Sequence, residues 1–107
     1  MRILIDECMP RLLRRELLDH DARTVSEMGW SGKRNGELLR IMQQERFEVL
    51  LTADQGLRHQ QNLAKFGVAA VVIIAGGNRL RDLKPLIPAV EIALLGILPG
   101  QVVEIRS

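Results

Sequence analysis

The sequence has few of the residues that several common kinds of site require. Cys8 is the only cysteine in 107 residues, so an internal disulfide is excluded, and no Cys/His grouping has the spacing of a zinc site. Aromatic residues make up 3% of the chain, and Trp30, in a glycine-flanked loop, is interpreted as a packing residue rather than a base-stacking platform. No segment reaches the ~20 apolar residues of a membrane span, and a secretory leader pattern is missing. We therefore expect a soluble protein in a reducing cytoplasm, with no membrane partner.

The composition that is present suits one small globular domain. With 47% hydrophobic residues, the chain can bury a single core, and residues 1–107 are predicted to form one domain. Lys and Arg exceed Asp and Glu by 15 to 13, and the pI is near 9.2. This balance permits a nucleic-acid partner without requiring one.

Two short apolar runs each lead into acidic residues. Residues 3–5 run into Asp6 and Glu7, and residues 49–52 are followed by Asp54. Each run is too short for a helix and is typical of a buried parallel strand. Ligands of open α/β sheets bind beyond the carboxyl ends of the strands, so these three acids could meet in one site.

The remaining pattern alternates strands with helices. Strands are predicted near residues 2–5, 22–26, 49–52, 67–74 and 101–105, and helices after Pro10 and near 35–45, 55–63 and 87–95. The predicted fold is a three-layer α/β domain with a mostly parallel five-stranded sheet and helices on both faces. If the first strand lies between the second and third, the winding reverses between the strands that carry Asp6 and Asp54.

Converging carboxylates indicate a cation site. Acids that share a site repel one another unless a cation or a proton relieves the charge, and oxygen ligands favour Mg²⁺ or Mn²⁺. Such an ion activates water and clamps a phosphodiester, as in metal-dependent nucleases. The alternative is that Asp6 and Asp54 only cap the helices that follow them, and the spacing leaves both interpretations open.

Three motifs together resemble a known family. These are Asp6-Glu7 after the first strand, Gly29-Trp30-Ser31-Gly32 before a helix that starts Asn35-Gly36-Glu37, and Thr52-Ala53-Asp54 after the central strand. Over residues 1–100 the chain resembles the short PIN-like nucleases. The resemblance implies a PIN-like α/β fold, ribonuclease activity that depends on Mg²⁺ or Mn²⁺, and a role as the toxin of a toxin–antitoxin pair. RNA and an antitoxin protein are the partners it implies, and a homodimer remains open.

The resemblance also suggests the role of each candidate catalytic residue. Asp6 matches the first metal-binding acid and Asp54 the acid of the Thr-x-Asp motif, so these two are the predicted metal ligands. Asn35 stands where the family has an acid at the helix start, and Gly56 stands where a further acid often occurs. Glu7 or Glu37 could then complete the catalytic set, although Glu37 should point some 200° around the helix axis from Asn35.

Basic residues around the predicted strand ends form a candidate nucleic-acid footprint. Its members are Lys33, Arg34, Arg58, Arg79 and Arg81. Phosphate contacts from these side chains would make binding sensitive to salt. A second basic stripe, Arg11, Arg14 and Arg15, is interpreted as a solvated helix face.

Two alternatives differ from the nuclease in function. A degenerate PIN-like fold would bind RNA or a protein without cutting anything, and the neutral Asn35 is the feature that favours it. A phosphoacceptor receiver domain would also place acids after strands one and three. Receivers generally need a hydroxyl residue after strand four and a Lys after strand five, where this chain has Ala75-Gly76 and Arg106.

Overall fold

The computed structural model describes residues 1–56 and 63–107, with Asn35 described through its backbone alone. Its five strands are β1 Arg2–Ile5, β2 Asp21–Thr24, β3 Val49–Thr52, β4 Ala69–Ile74 and β5 Val102–Arg106. They form one sheet in the order β2-β1-β3-β4-β5, and every pair is parallel. The predicted α/β class and the central position of β1 between β2 and β3 are confirmed.

The connections between the strands are helical, and the helices predicted over residues 35–45 and 87–95 are found to within one residue at their ends. The α-helices are α1 Asn35–Gln44, α2 Leu80–Leu83 and α3 Ile87–Gly96, and 3₁₀ helices cover Arg11–Glu16, Ala64–Phe66 and Lys84–Leu86. The helix expected after Pro10 is thus a 3₁₀ helix of six residues that buries Leu13 and leaves Leu12 exposed. The helix expected over residues 55–63 falls largely outside the described residues.

Alternate strand residues build two separate cores on the two faces of the sheet. On one face, Ile3 and Ile5 pack with the 3₁₀ helix Arg11–Glu16 and with α2 and α3. On the other face, Leu4 and Leu50 pack against α1. Because successive strand side chains point to opposite faces, continuous apolar strands need a helical layer on each side. The domain therefore has three layers.

Helix α3 is apolar around most of its circumference. Val90 and Leu94 are buried against the sheet, whereas Ile92 is 70% exposed and Leu95 is 88% exposed. Pro88 lies in its first turn, where a missing N–H is tolerated. Among the described residues, no helix has both the length and the apolar character to cross a bilayer.

Charged residues at the amino ends of β1 and β2 stabilise the edge of the sheet. Arg2 pairs across the strands with Asp21, and its guanidinium lies 4.1 Å from the centre of the Phe47 ring. Arg23 Nε also donates to Asp21 Oδ1 over 2.8 Å. Hydrogen bonds from Arg23 and then Arg2 lower the pKa of Asp21 below its ordinary value. Asp21 thus binds both Arg2 and Arg23, at the end of the sheet opposite the strand carboxyl ends.

Candidate functional site

Asp6 and Asp54 follow adjacent strands at the point where the winding of the sheet reverses. Ile5 pairs with Leu51, and the backbone N–H of Asp6 donates to the Leu51 carbonyl over 2.9 Å. Asp54 follows the end of β3 by two residues. In this strand order the reversal lies between β1 and β3, which is the usual ligand position in an open α/β sheet.

The Thr52 hydroxyl connects the two aspartates. It donates to Asp6 Oδ2 over 2.6 Å and accepts the backbone N–H of Asp54 over 3.1 Å. Cys8 Sγ lies 3.7 Å from the Thr52 hydroxyl oxygen. Thr52 is 0% exposed, so its hydroxyl depends on these partners in place of water. The Thr-x-Asp spacing indicated an acid at this point, but the link from Thr52 to Asp6 depends on the pairing of β1 with β3 and was not predicted.

Backbone donors further orient both carboxylates. Asp6 Oδ1 accepts the N–H of Glu7 over 2.8 Å, and Asp54 Oδ1 accepts the N–H of Gly56 over 2.9 Å. A Cβ atom at Gly56 would approach Asp54 Oδ1 to 3.2 Å, which is a tight contact. Each carboxylate oxygen has more than one lone pair, so these bonds orient the group and leave acceptor capacity toward a ligand.

An open cavity of about 400 Å³, termed here the acidic cavity, brings together several of the predicted site residues. Its lining consists of Asp6, Glu7, Gly32, Lys33, Arg34, Leu38 and Asp54. Glu7 accepts the N–H of Gly32 over 3.3 Å, which ties the first strand end to the loop before α1. Three acids and two cations thus line one opening, a mixture that suits a cation together with an anionic substrate.

The other predicted site residues have different positions. Glu37 lies on α1, pairs with Lys33 Nζ over 2.8 Å, and is not part of the lining of the acidic cavity. Arg79 precedes α2 and Arg81 lies within it, and both are exposed and outside that lining. Asn35 is the first residue of α1, which places its backbone beside Arg34. Arg58 lies outside the described residues.

The donor set of the acidic cavity fits a hard divalent cation. Asp6 and Asp54 offer carboxylate oxygens, and the basic groups of the lining are Lys33 and Arg34, which do not ligate such ions. Within the described residues, no three His, Cys, Asp or Glu side chains are grouped closely enough to hold a metal together. A cation here would therefore depend on two protein carboxylates, with water or substrate oxygens in its remaining positions, as is common for Mg²⁺.

Comparisons with family models, with curated proteins and with solved structures find no match to this chain. The likeness to PIN-like nucleases stays a prediction from three motifs. The function is accordingly inferred from the residues of the acidic cavity and their surroundings.

Proposed function

We propose that the protein is a cytoplasmic ribonuclease of the PIN-like type that depends on Mg²⁺ or Mn²⁺. One observation carries the proposal: the Thr52 hydroxyl donates to the Asp6 carboxylate and accepts the backbone N–H of Asp54, and the side chains of Asp6 and Asp54 line one cavity beside Lys33 and Arg34. Acids alone would repel a phosphodiester, whereas acids that hold a cation beside two basic side chains would attract one.

Asp6 and Asp54 would hold the metal ion. When bound, such an ion supplies Lewis-acid stabilisation of a phosphoryl oxygen and lowers the pKa of a coordinated water. Thr52 keeps Asp6 oriented toward the cavity, and it does so from a fully buried position where a rotated hydroxyl would lose its partners. Lys33 and Arg34 contribute the positive charge that receives the phosphate.

Glu7 is the acid best placed to substitute for those that the family has at the positions of Asn35 and Gly56. Its carboxylate lines the acidic cavity, and its one hydrogen bond to the described part of the chain is a long one, from the N–H of Gly32 over 3.3 Å. Glu37 is instead engaged by Lys33. We assign to a Glu7 carboxylate oxygen the role of accepting a proton from the attacking water, which requires it to be ionised at the start of the reaction.

The test is Mn²⁺ binding measured by calorimetry, together with cleavage of single-stranded RNA. Asp6→Asn and Asp54→Asn should each weaken Mn²⁺ binding and abolish cleavage, because each leaves one charged ligand. Asp19→Asn, which changes an exposed acid outside the acidic cavity, is the matched control and should behave as wild type. Equal Mn²⁺ affinity in all four proteins would refute the proposed metal site.

A catalytically degenerate PIN-like fold is the second candidate. Two observations favour it: the described residues hold no group of three potential ligands, and the position of an expected helix-start acid is occupied by Asn35. This candidate predicts RNA or protein binding that is unaffected by Mn²⁺ and never followed by cleavage.

A toxin role would add a protein partner, either an antitoxin or a second copy of the chain. The exposed Ile92 and Leu95 side chains on α3 support an interaction with protein, because adjacent apolar residues at the surface favour burial. Sedimentation of the purified chain, alone and with the product of a neighbouring gene, separates the two partners.

A further inference from the structure

The acidic cavity is the first of three adjoining cavities along the carboxyl ends of the strands. A second cavity of about 440 Å³ shares Asp6 and Glu7 with it and also contains the hydroxyls of Ser26 and Ser31. A third, of about 470 Å³, shares Pro10, Arg11 and Thr24 with the second. The three cavities adjoin one another through these shared lining residues and are together termed here the edge groove.

Arg11 stands where the second and third cavities meet, and it has a different environment from the other arginines of its helix. Arg14 is engaged by Glu27, with Nη1 2.9 Å from Oε2. Arg15 lines another cavity, with Asp21 and Arg23, that adjoins the third cavity at Arg14, but Arg15 itself lines none of the three cavities of the edge groove. The Arg11 side chain is exposed and makes no hydrogen bond or ion pair with any other residue that the structure describes. Its charge is therefore available to a ligand in the groove.

We infer that the edge groove binds a single strand of RNA that continues from the acidic cavity past Arg11, with Arg11 holding the phosphate next to the one that is cut. This inference rests on the proposed ribonuclease function, which gives the position of the cut, and it adds the path that the RNA substrate follows. Phosphates in the second cavity face Asp6 and Glu7, so a cation is needed there to offset repulsion, and Arg11 supplies it.

The walls of the groove suit a flexible strand better than a duplex or a free nucleotide. Ser26 and Ser31 offer hydroxyls for the sugar–phosphate backbone in the second cavity. Leu12, which is 49% exposed, and Leu80 give the third cavity an apolar wall that a base can contact. Trp30 packs against Phe47 in a T-shaped pair with ring centroids 5.7 Å apart, and it lines none of the three cavities. Recognition would therefore depend mainly on the backbone, with little preference for base sequence.

The experiment compares variants of one helix in their binding of a fluorescent single-stranded oligouridylate that is long enough to fill the groove. Asp54→Asn is included in every protein so that the probe stays intact. Arg11→Ala should weaken binding about tenfold, because a charge-assisted contact to phosphate is lost. The slope of log K against log salt should also decrease by about 0.7, the value for one contact to a single strand. Arg15→Ala removes the same charge four residues further along the same helix, from a side chain that lines none of the three cavities, and should change neither quantity.

Two further measurements distinguish the loss of a specific contact between Arg11 and a phosphate from a general loss of positive charge or of folded protein. Arg11→Lys should recover the salt slope, because it restores a cation at the same position. Binding of uridine 5′-monophosphate should be the same with and without Arg11, since one nucleotide does not reach the neighbouring phosphate position. Equal effects of Arg11→Ala and Arg15→Ala, or a loss of monophosphate binding in Arg11→Ala, would overturn the inference.

These outcomes are distinct from failure of the proposed function. RNA binding that depends on Arg11 in a wild-type protein that never cuts RNA would support the groove and refute the nuclease. If Asp6→Asn abolishes RNA cleavage whereas Arg11→Ala changes neither RNA binding nor cleavage, the nuclease is supported and the groove is refuted. A wild-type protein that binds no RNA would refute both.

Discussion

At the scale of single residues, the buried Thr52 hydroxyl determines how the site is organised. It links the Asp6 carboxylate, which follows β1, to the backbone N–H of Asp54, which follows β3. A hydroxyl that both donates and accepts in a water-free position holds its neighbours in one arrangement. The orientation of the Asp6 carboxylate should therefore depend on the hydroxyl of Thr52.

Replacing Thr52 by Val tests this dependence with little change of shape. Thr52→Val leaves the N–H of Asp54 without its acceptor and Asp6 without its donor, so we expect a loss of about 1–3 kcal/mol in the free energy of unfolding and weaker Mn²⁺ binding. Thr52→Ser retains the hydroxyl and should preserve most of the Mn²⁺ affinity. Urea denaturation and Mn²⁺ calorimetry provide the two measurements. Wild-type Mn²⁺ affinity in Thr52→Val would show that Asp6 needs no such support.

A second residue-scale prediction concerns Asn35, which begins α1 next to Arg34 of the acidic cavity. Asn35→Asp should strengthen Mn²⁺ binding and raise RNA cleavage above the wild-type level, because it adds a negative group at the helix start. Gln44→Glu makes the same amide-to-acid change at the other end of α1 and should have no such effect. Equal cleavage by wild type and Asn35→Asp would show that Glu7 already completes the site. Unfolding curves must accompany the comparison, since an acid at a helix start is itself mildly stabilising.

At the scale of secondary-structure elements, the strands and the two ten-residue helices α1 and α3 could be predicted from the sequence. Residues 3–5, 49–51 and 69–73 are short runs of buried apolar residues, which is the pattern of strands in a sheet that is covered on both faces. The segment after Pro10 is the exception: its apolar residues Leu13 and Leu17 lie four apart, which suits an α-helix, yet Arg11–Glu16 form a 3₁₀ helix. Leu13 and Leu17 are nevertheless both buried, as the pattern predicted.

The elements also determine which site residues could be predicted from sequence. Asp6 and Asp54 each follow an apolar strand, so their shared edge followed from topology. Arg11 gave no such signal, because its role depends on Glu27 engaging Arg14 and leaving Arg11 open to the groove. Contacts between side chains that are distant in sequence, such as Thr52 with Asp6, need the pairing of strands before they can be inferred.

The paired ends of β1 and β2 give a prediction about pH. The pKa of Asp21 is lowered in the folded protein, by Arg23 first and then Arg2, so its ionised form stabilises the fold. That contribution is fully present above the ordinary value of 3.8 and is lost as the pH falls through the lower, folded pKa. Asp21→Asn should reduce the free energy of unfolding at neutral pH by less than about 1 kcal/mol, since the pair is exposed to solvent. The difference from wild type should shrink below pH 3.8, as measured by urea denaturation across the acid range. A difference that stays constant into strong acid would exclude this carboxylate as its source.

At the scale of the whole molecule, a charged cluster and the acidic cavity lie at opposite ends of one sheet. Arg2, Asp21 and Arg23 interact at the amino ends of the strands, whereas the acidic cavity opens at the carboxyl ends. Two hydrophobic cores hold the strands between these ends, so Asp6 and Asp54 are positioned by buried neighbours such as Ile5 and Leu51. Substitutions in the site should consequently affect ligand binding more than folding, with the buried Thr52 as the exception.

The most direct test of the central claim is a crystal of the wild-type protein soaked in Mn²⁺ and measured at an anomalous wavelength. We predict one anomalous peak in the acidic cavity, bonded to a carboxylate oxygen of Asp6 and to one of Asp54 at about 2.1 Å, the distance typical of small hard cations. The peak should be missing from Asp54→Asn crystals treated in the same way. An empty acidic cavity at a Mn²⁺ concentration that supports RNA cleavage, or an ion bound to neither aspartate, would contradict the assignment of this site.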